Sequence, residues 1–299
     1  MRILVFGSLN IDHTYRVSHL VRAGETLASD GYQKSEGGKG LNQAVALAKA
    51  GMDVYMAGAI GPDGTFLLDA LRAANVNTDL VKTLHCATGH AMIQVDEDGA
   101  NSIILHSGAN EQITLSMIDE TLSHFAAGDW VLLQNEIAHV DEIIVRAKQR
   151  GLTVALNPSP ASANIRLWRL ELVDLLILNE VEGKDLTGES EPADIISSIH
   201  VRYSKRCKIL LTLGAQGAIY VDENGALIER ALPVTPVDTT AAGDTFTGYF
   251  IAQYARDKNV RAALRCATVA SALTIQRQGA SRSIPDQREV IEAMHKIEA

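Results

Sequence analysis

Ile3-Leu4-Val5-Phe6 is an unbroken apolar run that stops at Gly7-Ser8, and from Leu41 to Ala50 the residues Leu41, Ala44, Val45, Leu47 and Ala48 fall on one helical face. That is a strand, a connection and a helix. The alternation returns along the chain. Strands read at Val54 to Ala59, Trp130 to Gln134, Val154 to Asn157, Leu175 to Leu178 and Ile209 to Leu213; helices read at Thr65 to Asn75, Val140 to Arg150 and about Pro192 to Ser204. Continuous apolar strands are buried on both faces, and strands separated by helices pair in parallel with the helices covering the sheet. The pattern predicts an α/β fold.

Two segments depart from it. Residues 90 to 105 read as a hairpin, because Asp98-Gly99 supplies the residue types that tight turns prefer. Asp30 to Glu36 also reads as extended. Such strands do not fit a helix-covered parallel sheet, so they predict a small separate sheet acting as a lid or an oligomer contact. Neither a Pro, Gly or Ser linker nor a repeat divides the chain, which predicts one domain over residues 1–299 with a small β-insertion. Thr245 to Arg256, Val260 to Arg277 and Gln287 to Ile297 read as helices, with Pro285 opening the last.

Composition narrows the function. The chain has 299 residues, 46% of them hydrophobic, enough to bury a core without staples. Its net charge of −9 disfavours binding to a phosphate polymer, so no nucleic-acid partner is expected. Cys86, Cys207 and Cys266 are odd in number and lack C-x-x-C spacing, which predicts free thiols in a reducing compartment rather than a disulfide frame or zinc site. No apolar stretch is long enough for a membrane span or signal core. A cytoplasmic location is expected.

The familiar nucleotide motifs fail: Gly38-Lys39 has Gln33 and Gly40 where a Walker A loop needs glycine and a hydroxyl, and no G-x-G-x-x-G occurs. H-E-x-x-H is absent as well. Asp238-Thr239-Thr240-Ala241-Ala242-Gly243-Asp244 instead precedes an apolar helix. A small-residue turn at a helix start leaves N–H groups unpaired at the positive end of the dipole, which makes an anion cradle. Gly243 admits a bulky phosphate, and Asp244 beside it suits a general base, or simply a helix cap. Two further turns stand out: Glu36-Gly37-Gly38-Lys39-Gly40-Leu41-Asn42, which reads equally as a plain strand-to-helix turn, and Gly7-Ser8-Leu9-Asn10-Ile11-Asp12 after the first strand. Asn, Asp and Lys side chains together suit a polyhydroxylated ligand.

Taken together, these stretches resemble the ribokinase-like carbohydrate kinase family, also called the phosphofructokinase-B family. The resemblance extends through Gly24-Glu25-Thr26, Gln43-Ala44, His106-Ser107-Gly108-Ala109-Asn110, Leu156-Asn157-Pro158, Asn179-Glu180-Val181-Glu182 and Thr212-Leu213-Gly214, and so spans nearly the whole chain. It implies a three-layer sandwich with a mostly parallel central sheet and a β-lid from about residues 12–36 and 88–106. It also implies ATP-dependent phosphorylation of a primary sugar hydroxyl, with D-ribose first and another pentose, fructose or a nucleoside as alternatives. A non-catalytic sugar or nucleotide sensor is the rival class.

In that family the sugar is held by residues matching Asn10, Asp12, Gly38, Lys39, Asn42 and Glu136. Asp244 matches the catalytic base, and Ala241, Ala242 and Gly243 match the anion hole. Asn179, Thr212, Gly214, Gly217, Gly243 and Thr268 match nucleotide-side positions, and Glu182 matches a position near Mg²⁺, reached through water. Asp238, Thr240, Thr274, Arg277, Gly279 and Ser283 match the surroundings of a monovalent cation, typically K⁺, several through backbone carbonyls. Ala91 and Ile93 match the sugar roof, and the lid implies a homodimer. Three residues depart from the pattern. Thr268 replaces a larger Asn or His near the adenine, Leu178 replaces Pro, and Asn135 replaces an apolar residue beside the sugar.

Overall fold

The computed structural model describes residues 1–203 and 206–298. Ser204, the expected end of one helix, lies outside the described residues. In chain order the strands are β1 (Ile3–Phe6), β2 (Asn10–Arg16), β3 (Gly31–Gly37), β4 (Val54–Ile60), β5 (Asn77–Thr83), β6 (Gly89–Val95) and β7 (Asn101–His106). They continue as β8 (Trp130–Gln134), β9 (Thr153–Asn157), β10 (Leu175–Asn179), β11 (Lys208–Thr212), β12 (Ala218–Asp222) and β13 (Gly225–Glu229). The helices are α1 (Lys39–Lys49), α2 (Thr65–Ala73), α3 (Leu115–Ser123), α4 (Val140–Gln149), α5 (Glu180–Thr187), α6 (Pro192–Arg202), α7 (Ala242–Asp257), α8 (Val260–Thr274) and α9 (Gln287–Glu298).

The large sheet has nine strands in the order β13-β12-β11-β10-β9-β8-β1-β4-β5. From β11 to β5 the neighbours pair in parallel, and β12 and β13 extend the edge antiparallel. Alternate residues of β1 enter opposite layers: Ile3 and Val5 pack with α1, α7 and α8, and Leu4 and Phe6 with α3, α4 and α6. Burial on both faces is why these strands are apolar throughout.

β1 pairs with β4 on one side and β8 on the other. The order of strands reverses there, which opens a crevice outside the carboxyl ends of β1 and β8, where α/β folds take ligands. Above it lies a second sheet of four strands, β3-β2-β6-β7. Asp12 pairs with Ala91 in its register, and β7 is exposed along its whole length.

Several expectations change. The hairpin joining β6 to β7 closes through Asp96, whose carboxylate accepts the Asp98 and Ala100 N–H groups at 3.1 and 2.8 Å, so the turn is wider than a two-residue one. β2 emerges where polar residues suggest a loop. β5, the β12–β13 hairpin and α3 carry mixed polar and apolar residues at a sheet edge or surface, which hides their periodicity. α8 stops at Thr274 rather than Arg277. Pro285 precedes the last helix instead of opening it, because Asp286 is the cap: its carboxylate accepts the Glu289 N–H at 3.0 Å, and Glu289 accepts the Asp286 N–H at 2.9 Å.

Candidate active site

The end of β1 is clamped to the start of α1. Fully buried Ser8 donates its hydroxyl to Glu136 Oε2, accepts the Gly40 N–H on that hydroxyl at 3.2 Å, and accepts the Leu41 N–H on its carbonyl at 3.0 Å. Only glycine permits the approach. A Cβ at Gly40 would lie 2.4 Å from the Ser8 nitrogen, and one at Gly37 would lie 2.2 Å from the Asp12 carboxylate. The glycine run is therefore a packing requirement, and it also presents the polar groups around it.

Those groups converge. Asn10 is buried and accepts from Asn110 Nδ2 at 2.7 Å, while Glu136 Oε2 accepts the Lys39 backbone N–H at 3.0 Å. Burial, reinforced by the charges of Glu136 and Glu36, pushes the Asp12 carboxyl up to about 7. Burial also raises Glu136, against the opposing pull of Ser8 and Lys39. Lys39 is itself buried, which disfavours its charge, yet Asp244, Glu136 and Glu182 outweigh that and hold its ammonium above the usual range. Three elements thus aim carboxylates at one lysine. Next to them a cavity of about 270 Å³ is lined by Asn10, Asn110, Asn135, Glu136, His139 and Trp168, among others. Asn135 ties its rim by donating to the Pro160 carbonyl at 2.6 Å and Ser162 Oγ at 3.2 Å.

Asp244 sits in the first turn of α7, 7% exposed. Asn42 Nδ2 donates to its Oδ2 at 3.0 Å and Gln43 Nε2 to its Oδ1 at 2.9 Å, so both oxygens are oriented from α1. The simple capping alternative fails, since no side chain caps this helix. Ala241 at the cap is left-handed, φ 59°, an unusual conformation for alanine. Ala242 is a partial correction to the expected anion hole: its N–H is engaged with the Thr239 carbonyl at 3.2 Å. The Gly243 and Asp244 N–H groups carry no such bond among the described residues. A Cβ at Gly243 would meet nothing within 4 Å, so open space adjoins the turn.

Of the residues expected to face the nucleotide, Asn179 and Thr212 are register partners at the ends of β10 and β11. Asn179 and Glu182 form a capping box for α5, with Glu182 Oε2 accepting the Asn179 N–H at 3.0 Å. Glu182 is 7% exposed, and no ion pair to it is described. A buried carboxylate that makes no ion pair, although its charge reaches Lys39, fits Mg²⁺ held mostly by water and phosphate. Among the described residues no three His, Cys, Asp or Glu side chains form a protein cage. Gly214 lies in the turn after β11 at φ 52°. Gly217 has a structural reason too, as a Cβ there would lie 2.0 Å from the Glu229 carbonyl of β13. Thr268 is buried on α8 and its hydroxyl has no partner.

The expected cation loops do meet. Asp238 accepts the Thr240 N–H on Oδ1 and the Gly279 N–H on Oδ2, both at 2.9 Å. Burial opposes its charge, but these backbone and side-chain hydrogen bonds hold the carboxyl below its ordinary range. A fixed negative charge between two loops, with no ion pair described for it, fits a monovalent cation. Side chains contribute little else. Arg277 pairs with Glu289 at 2.5 Å, the Thr274 hydroxyl donates to the Ala270 carbonyl at 3.0 Å, and the Ser283 hydroxyl donates to the Ala280 carbonyl at 2.7 Å. Arg277 could serve such an ion only through its backbone oxygen, whereas the Thr274 and Ser283 hydroxyls donate their protons and keep oxygen lone pairs.

Ser8, Gln43, Asn110, Gln134 and Asn157 support this site without having been singled out as site residues. Four of them stand inside motifs quoted from the sequence, but only folding reveals what their side chains touch. Gln134 ends an apolar strand, and a glutamine in such a run is the one signal it gives.

The whole chain has close relatives. The description "pfkB family carbohydrate kinase" matches residues 1–287. The ribokinase of Haemophilus influenzae is 34% identical over 298 residues, covering 97% of each chain. That of Bacillus subtilis is 36% identical over 300 residues, covering 98% of this chain and 99% of the relative. The solved structure of Arabidopsis thaliana ribokinase complexed with ribose and ATP superposes with a TM-score of 0.87 at 30% identity, covering 98% of both chains. Sequence, sheet order and full-length coverage agree, and the chain belongs to the pfkB family of carbohydrate kinases.

Proposed function

We propose that this chain is a single kinase unit that transfers the γ-phosphoryl group of ATP to O5 of D-ribose, with Asp244 as general base. The observation that carries the reading is the buried Asp244 carboxylate, oriented on both oxygens from α1 and placed beside open N–H groups at the start of α7. Asp244 takes the O5 proton while the O5–Pγ bond forms and the bond from Pγ to the ADP oxygen breaks. Asn10, Asp12, Gly38, Asn42 and Glu136 hold sugar hydroxyls. Lys39 lies between the sugar carboxylates and Glu182, where it steadies the transferring charge. The Gly243 and Asp244 N–H groups receive the γ-oxygens, so positioning and electrostatics carry the rate.

Asn179, Thr212, Gly214, Gly217 and Thr268 flank the nucleotide. Glu182 would hold Mg²⁺ through water, and the ion when bound neutralises triphosphate charge. The Asp238–Thr240 and Thr274–Ser283 loops would hold K⁺, whose charge supports the Ala241–Gly243 turn. The four-stranded sheet is the sugar lid, with Ala91 and Ile93 on the Asp12 face, and its exposed Ile103 and Ile104 suit pairing with a second copy. Free thiols at Cys86, Cys207 and Cys266 agree with the cytoplasm, where ATP is available.

The test is ADP release with ATP, Mg²⁺ and K⁺ over ribose, 2-deoxyribose, other pentoses, fructose and adenosine. Preference for ribose supports the assignment. Preference for a larger sugar or nucleoside would transfer it to a sister kinase, a reading favoured by the extension of the cavity past Glu136 to Trp168. Absence of turnover on every substrate would favour a sensor.

A further inference from the structure

Behind Asp244 lies a chain of buried amides that its chemistry leaves unexplained. Gln43 and Gln134 are both 0% exposed and Asn157 is 9% exposed. Asn157 Nδ2 donates to the Ile177 carbonyl of β10 at 2.9 Å. Because a backbone carbonyl only accepts, this bond fixes which end of the Asn157 amide points where, and Oδ1 faces away. Gln43 Nε2 donates to that Oδ1 at 2.9 Å and to Asp244 Oδ1 at 2.9 Å, while Gln43 Oε1 accepts from Gln134 Nε2 at 2.7 Å. Reversing the Gln43 amide would set its oxygen against two other oxygens and its nitrogen against a nitrogen. The orientation is therefore fixed from the Asn157 and Asp244 end, and Gln134, whose Oε1 has no partner among the described residues, follows it. Gly7 makes room for the far end, since a Cβ there would lie 2.1 Å from Gln134 Oε1.

From this geometry we propose that Gln43 is a positioning residue for Asp244, and that Asn157 holds its N–H toward the carboxylate while Gln134 occupies its oxygen. The inference rests on Asp244 being the base. Asn42 holds the other oxygen, so losing Gln43 leaves the carboxylate free to swing about the Asn42 bond. The other charges that reach Asp244 are Lys39 on α1 and Glu136 after β8, and neither is altered by changes at Gln43 or Gln134.

The experiment compares Gln43→Met, Gln134→Met, Gln134→Glu and Asp244→Asn by kcat, sugar KM and Tm. Gln43→Met is expected to lower kcat about 10- to 100-fold, as loss of a charged hydrogen bond does. Its sugar KM stays within about threefold. Gln134→Met follows in the same direction with a smaller loss. Gln134→Glu loses more than Gln134→Met, because a carboxylate invites the Gln43 N–H and turns its oxygen to Asp244; a packing role would give these two the same kcat at matched Tm. Wild-type kcat in both Gln43→Met and Gln134→Glu, or a change confined to Tm, would overturn the proposal. Near-normal kcat in Asp244→Asn would instead overturn the base assignment.

Discussion

At the scale of single residues, the site is a set of charges kept away from water, and two substitutions separate catalysis from stability. Asp244→Asn removes the proton acceptor but keeps the volume and one acceptor oxygen. General-base help is typically worth about 10²–10⁴-fold, so kcat should fall by that order while ribose affinity, measured by calorimetry, changes less. Asp12 gives the complementary case. Folding raises its carboxyl from the ordinary 3.8 to about 7. Below about pH 4 it is protonated folded or unfolded and contributes no penalty. Between about pH 4 and 7 the unfolded chain gives up this proton while the folded state still holds it, so stability is lost over that window and the loss is complete above about 7. Asp12→Asn should therefore raise Tm at pH 8, with the gain vanishing near pH 4, while sugar binding weakens at both. A Tm difference that is flat with pH would contradict this account of Asp12.

Glycine decides matters at the scale of elements. Gly40 and Gly243 both open helices, and their expected behaviour is opposite. A Cβ at Gly40 would lie 2.4 Å from the Ser8 nitrogen and 2.6 Å from the Gly7 carbonyl carbon, so α1 would have to leave the end of β1. Gly40→Ala should destabilise by about 2–3 kcal/mol, in the range of core overpacking, and lower expression of folded protein. Gly243 has open space beside it, so Gly243→Ala should hold or raise Tm, since alanine is the better helix former by about 1 kcal/mol. The same methyl would project into the proposed phosphate cradle, so kcat should drop and the ATP KM should rise. Thermal melting and steady-state kinetics on the pair distinguish a packing glycine from a ligand-facing one. The sequence shows both as glycines at helix starts and cannot rank them.

For the whole molecule, the two sheets divide the work. The large sheet supplies the crevice at its topological switch, and the small sheet, the proposed lid, leaves Tyr32, Ile103, Ile104 and Leu105 exposed. If that surface joins two copies, Ile104→Lys should shift the sedimentation coefficient from dimer to monomer and raise sugar KM; an unchanged coefficient would remove the lid from that role. Cation dependence also belongs to this scale, because the Asp238 and Gly279 loops come from different parts of the chain. Replacing K⁺ by Na⁺ is expected to lower kcat, and Asp238→Asn to abolish the difference between the two ions.

The amino-acid sequence alone determined the α/β class, the sites of most strands and helices, and the connections around Gly7-Ser8, Gly38 and Asp238–Ala241. These are local properties: hydrophobic period, glycine placement and helix-start chemistry act within a few residues of one another. It did not reveal β5 or the β12–β13 hairpin, whose mixed polarity is settled by lying at a sheet edge. Nor did it reveal that Ala242 turns its N–H to Thr239, or that the Arg277, Thr274 and Ser283 side chains are engaged elsewhere. The link from Ile177 through Asn157 and Gln43 to Asp244 spans four elements, and only their packing brings those atoms within 3 Å. An amide in a sequence carries no record of which end faces a carboxylate; that is fixed by the partners folding places around it.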